Sequence, residues 1–138
     1  MKALSYILFA LLLWSCTTEK KEQTTTAEVS EEKLLCFRNE YPFEDKSGKM
    51  DVEELTLTIT GNEVSGMYNW LPAEKDQRKG TLTGTLQGNT IQAKYIFMQE
   101  GVENSADINI QIDDNQASVS GGAPELGLQS TLKKAECK

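Results

Sequence analysis

The chain has no histidine, three cysteines, three prolines and two arginines among 138 residues. Without histidine it loses the commonest general base, nucleophile partner and zinc ligand at neutral pH. Nucleophilic catalysis of the Ser-His-Asp or Cys-His kind is therefore excluded by composition, and no motif announces a pocket for a Ser-Lys pair. Basic clusters are missing too. Past Cys16 the chain carries 13 basic and 21 acidic residues, a formal charge of −8. Nucleic-acid binding needs clustered Lys and Arg against the phosphates, so no nucleic-acid partner is expected. The glycines fall between short alternating segments, not between a strand and a helix, so there is no phosphate-binding loop either.

Apolar residues are unevenly spread. Lys2 gives one positive charge, Ala3 to Trp14 is an apolar run broken only by Ser5, and Ser15 precedes Cys16. This is a secretory signal pattern over residues 1–15, too short for a comfortable membrane span. The ending Leu13-Trp14-Ser15-Cys16 resembles the lipobox of bacterial lipoproteins, in which the cysteine receives a diacylglycerol and becomes the mature N-terminus, with palmitate-type chains as anchor. Trp14 departs from the small residue usual at its position. That resemblance implies a membrane partner held through Cys16 and a place in the cell envelope. Thr17 is not the Asp that favours inner-membrane retention in enterobacterial-type sorting, which leans toward the outer membrane.

Residues 16–33 form a polar tether with two small apolar residues and no aromatic after the cysteine. Such a segment buries too little to offset its ordering entropy. Its Glu19-Lys20-Lys21-Glu22 run is similar to the acidic surface-export signals of Bacteroidota lipoproteins, but mixed with lysines, so periplasmic and surface exposure both stay open.

From Leu34 to the end the apolar residues recur at period two, and no sustained helical stripe appears. Leu55, Leu57 and Ile59 alternate with Thr56, Thr58 and Thr60. Gly61-Asn62 then turns the chain, and Val64, Gly66 and Tyr68 resume the alternation. The figure repeats across Gly88-Asn89 into Ile91, Ala93, Tyr95 and Phe97, offset by 27 residues. Turn chemistry alone can generate that similarity; a duplication is the other reading. A third hairpin turns at Asp113-Asp114-Asn115, and a last strand is expected around Leu128 to Leu132. The expectation is an all-β domain over residues 34–138, an antiparallel up-and-down meander of seven or eight strands. Exposed edges disfavour an open sheet, so it should close into a small barrel. Leu71 to Lys79, rich in charge, is expected to lie in solvent.

With Cys16 committed to lipid, Cys36 and Cys137 remain at the two ends of the meander, and a disulfide between them would pin its closure. A redox pair, without a Cys-x-x-Cys spacing to support it, and two free thiols in a weakly oxidising envelope are the alternatives. Carboxylate pairs occur at Glu40 and Glu44, Glu53 and Glu54, Glu100 and Glu103, and Asp113 and Asp114. Neighbours on a strand face opposite ways, so Glu53 and Glu54 cannot jointly flank a bond, and Asp113-Asp114-Asn115 is turn chemistry with too few oxygens for calcium. No catalytic residue, metal site or cofactor is assigned. The candidate ligand-binding set is Tyr68, Trp70, Tyr95 and Phe97, at matching positions of the two similar hairpins, with Arg38 as a partner for a ligand carboxylate. The competing readings are an aromatic core and a surface ion pair for Arg38.

The succession Leu55-x-Leu57-x-Ile59, Gly61-Asn62-x-Val64-x-Gly66-x-Tyr68, Gly80-x-Leu82-x-Gly84-x-Leu86-x-Gly88, then Tyr95-x-Phe97 and Glu100-Gly101, resembles a family of small bacterial envelope lipoproteins. The resemblance implies a compact meander on a tether and carries no activity with it. More distantly the hairpins are similar to avidin-like and lipocalin-like barrels and to lipoprotein lysozyme inhibitors. The leading expectation is a monomeric, non-catalytic binding module for a small molecule, glycan or protein. An inhibitor of a cell-wall hydrolase, using acidic loops against a basic enzyme, and a carboxylate hydrolase are the alternatives.

Overall fold

The computed structural model describes residues 30–43 and 47–138. Cys16 and the rest of residues 1–29, where the export segment and most of the tether are expected, lie outside the described residues, as does Glu44. Eight strands follow one another: β1 (Glu32–Pro42), β2 (Met50–Thr60), β3 (Glu63–Leu71), β4 (Arg78–Gln87), β5 (Thr90–Gln99), β6 (Val102–Ile112), β7 (Gln116–Gly121) and β8 (Ser130–Ala135). Each pairs antiparallel with its sequence neighbour, and β8 returns to β1, so the sheet is a closed barrel. The expected meander is present, with eight strands.

Alternation decides what lies inside. Leu55, Leu57 and Ile59 on β2 point into the barrel, with Phe37, Tyr68, Leu82, Ile91, Tyr95 and Ile110 among the residues they join there. Two glycines let the small barrel coil tightly. A Cβ on Gly66 would collide with the Thr56 carbonyl, and one on Gly84 with the Gln92 carbonyl and Ala93. Glycine inside a strand commonly marks such a close approach.

Closure is the weak point of the ladder. β1 pairs with β2 along its whole length but with β8 only where Cys36 to Arg38 face Lys133 to Ala135. Two devices extend the seam. The Asn39 side chain continues it beyond the backbone pairing, donating from Nδ2 to the Thr131 carbonyl (2.8 Å) and accepting from the Lys133 N–H (3.2 Å). The Cys36–Cys137 disulfide, with Cα atoms 5.2 Å apart, ties β1 to the chain just past β8. In the chain-entropy account, closing so long a loop stabilises by about 4 to 5 kcal/mol as an upper estimate.

Three expectations about boundaries change. β1 takes in Glu32 and Lys33, which by composition belong to the tether, because backbone pairing with Thr60 and Ile59 is indifferent to side-chain polarity. The last strand begins at Ser130, not Leu128; Pro124–Leu126 is a single 3-10 turn ending at Gly127 (φ 56), and Leu128 is a core side chain at 1% exposure. Arg78, placed by charge in a solvent loop, opens β4 and is 4% exposed.

Candidate functional site

The barrel has two unlike ends. The loop end gathers the β1–β2, β3–β4, β5–β6 and β7–β8 connections. The hairpin end carries the turns at Gly61-Asn62, Gly88-Asn89 and Asp113 to Asn115, with the start of β1 and the end of β8.

At the loop end, period two carries charge into the interior. Glu53 lies two residues before Leu55 and Arg78 four before Leu82, so both share the inward face of their strands. Their burial follows, at 7% and 4% exposure. The Arg78 guanidinium carbon sits 5.8 Å from the Tyr68 ring centre, 5.7 Å from Trp70 and 5.8 Å from Phe97. Desolvated cation–π contacts of this kind are worth up to about 2 kcal/mol. Arg78 Nη1 donates to the Leu126 carbonyl at 2.7 Å, which fastens the β7–β8 loop across this end, and the buried Nε–H has no acceptor.

Glu53 is held by neutral donors: Tyr68 Oη at 2.5 Å and Ser130 Oγ at 2.6 Å. Tyr95 Oη in turn donates to the Tyr68 carbonyl at 2.6 Å, and its ring stacks on Phe97 with centres 4.8 Å apart. Burial drives the Tyr68 hydroxyl well above the usual phenol range, and the neighbouring Glu53 charge pushes the same way. Burial also raises Tyr95, to about 12, against the opposing pull of Arg78. Among the described residues the ion pairs are Arg38 with Glu40 and Glu54, and Lys49 with Glu74; Arg78 and Glu53 share none. A pocket of about 380 Å³ opens above them, lined by Glu53, Trp70, Arg78, Gln99, Gln129 and Ser130 with the β7–β8 loop.

The aromatic candidates are thus brought together, but around the protein's own cation. Tyr68 and Tyr95 are 0% exposed and Phe97 is 1% exposed, so these rings form packed interior where an open lumen was one expectation; Trp70 alone reaches a pocket. Arg38 is elsewhere. It lies on the outer face with Nε 2.7 Å from Glu40 and Nη1 2.8 Å from Glu54, a surface ion pair. Glu53 and Glu54 do face opposite ways, one to the interior and one to Arg38. Asp113 caps its own turn by accepting from the Asn115 and Gln116 N–H groups.

At the hairpin end a cup of about 480 Å³ has an apolar floor of Leu35, Phe37, Ile59, Leu86 and Ile112. Its rim is charged, with Glu31, Lys33, Asp113, Asp114 and Lys134. No composition signal marked this cup, because its floor residues look like any other core positions. Such a surface can shelter an apolar group while a polar head stays at the rim.

The chain matches no family model, no curated protein and no solved structure.

Proposed function

We propose that the protein is a lipid-anchored envelope binding module, with Cys16 carrying the lipid and the hairpin-end cup receiving the apolar part of a small amphiphile. The observation that carries this reading is the cup itself, an apolar floor ringed by charges of both signs. Concave, mostly apolar surfaces with a few polar groups at the rim are the usual form of a small-molecule site. The entry of the chain supports it further: Ser30 and Glu31 border the cup, so the tether meets the barrel at this end.

The test uses the mature chain bearing Cys16→Ser and a dansyl-labelled fatty acid. Saturable fluorescence is expected, weakened at least about tenfold, equivalent to 1.4 kcal/mol, by Ile112→Asp at the cup. Absence of saturation, or equal binding to the variant, refutes the cup. The anchor is tested in the full-length precursor, where Cys16→Ser should move the protein from the membrane fraction to the soluble one.

A further inference from the structure

The geometry points to a second site: the loop-end pocket binds a small zwitterion of the α-amino acid class, its carboxylate on Arg78 and its ammonium on Glu53. Both charges are buried, both line the same pocket, and they do not pair with each other. Buried opposite charges normally close into an ion pair, since burying either alone is costly. Here each is held by neutral partners instead. Tyr68 and Ser130 fix the Glu53 oxygens, and the Leu126 carbonyl with three ring faces fixes Arg78.

Each group also keeps unused capacity toward a ligand. A carboxylate offers about four acceptor directions, and two donors occupy only part of Glu53. Arg78 has five N–H donors; Nη1 serves the Leu126 carbonyl, and the sealed Nε–H has no acceptor, so the protein alone leaves the guanidinium under-satisfied. Trp70, half-buried on the pocket wall, supplies a flat apolar surface for a side chain.

The arrangement discriminates by charge. A simple anion would meet Glu53, and Glu125 on the loop above it; a simple cation would meet Arg78. Only a molecule carrying both signs a short distance apart answers both walls, so selectivity comes from repulsion as much as attraction. Glu53, Tyr68, Trp70 and Arg78 stand on β2, β3 and β4, with Ser130 at the start of β8 and Leu126 in the 3-10 turn as further supports, which holds the pocket geometry without a ligand present.

Isothermal titration of the mature chain bearing Cys16→Ser, with its disulfide intact, compares leucine, N-acetyl-leucine and leucinamide. Leucine should bind saturably, and the two capped analogues, each lacking one charge, at least about tenfold more weakly. Glu53→Gln should bring N-acetyl-leucine close to leucine, because the repulsive carboxylate is gone. No heat from leucine at millimolar concentration, or capped analogues that bind as well as leucine, overturns the proposal. These wild-type comparisons decide it even where Glu53→Gln fails to fold. Ile112→Asp at the cup should leave leucine binding unchanged, which keeps this site distinguishable from the amphiphile site; a loss there would overturn the assignment to the loop end.

Discussion

At the loop end the interior is closed by a cation, a carboxylate and three rings, whereas at the hairpin end Leu35, Phe37, Ile59, Leu86 and Ile112 stay apolar up to the rim. Loop length accounts for the contrast. The β7–β8 connection is long enough to fold a 3-10 turn over the barrel and offer the Leu126 carbonyl to Arg78. The turns at Gly61-Asn62 and Gly88-Asn89 hold two residues each and cannot reach across, so the floor beneath them remains a concavity. A buried charge needs fixed partners, and only the end with a covering loop supplies them.

Breaking the polar end should have the largest effect. Arg78→Ala removes the cation from its aromatic cage and strips the Leu126 carbonyl of its charged donor. Urea unfolding at pH 7 should show a loss of about 3 to 5 kcal/mol, from the desolvated cation–π contacts and the charged hydrogen bond together. A loss under about 1 kcal/mol would mean that the plug is ornamental and that the two ends are equivalent.

Alkaline titration probes the same end more gently. Unfolded tyrosine titrates near 10, while Tyr95 is held up to about 12 and Tyr68 higher still. Between those values the unfolded chain has lost protons that the folded chain keeps, so stability falls as pH rises. It should be level up to about pH 9, then decline from about pH 10 through 12, by about 1.4 kcal/mol per unit for each tyrosine fully displaced from its unfolded value. Unfolding midpoints measured from pH 7 to 12 check this, and Tyr95→Phe should flatten part of the slope. A curve with no decline above pH 10 contradicts the sealed hydroxyls.

The smallest effect is expected at the cup. Leu86 is only partly buried against the core, and Leu86→Ala should cost about 1 kcal/mol, below the range for fully buried leucine. Thermal or urea unfolding measures it. A loss above about 3 kcal/mol would show that the hairpin end is as tightly built as the loop end.

Much of the fold was legible because a two-residue period and Gly-Asn turns speak directly about strands: β2 to β5 lie where Leu55, Val64, Leu82 and Ile91 put them. The disulfide was legible too, from two cysteines at the ends of a meander, and Cys36–Cys137 is formed. The polar plug was not. Arg78 sits among Glu74, Lys75, Asp76 and Lys79, and its charge outweighed its register, although counting back by twos from Leu82 places it inside. Glu53 likewise reads in sequence as half of a carboxylate pair, whereas its step of two before Leu55 is the informative fact. The β7–β8 region misled for another reason: Leu128 looks like a strand residue, and only the course of the loop makes it a plug under Gly122.

By itself the sequence determined an all-β meander, its turns and its cysteine closure, because these follow from local alternation and turn chemistry. Tertiary structure alone decided what the aromatic residues enclose, which charges are buried, and which end is left hollow. Those outcomes depend on residues far apart in the chain, such as Glu53 and Ser130 or Arg78 and Leu126, meeting at one end of a closed barrel.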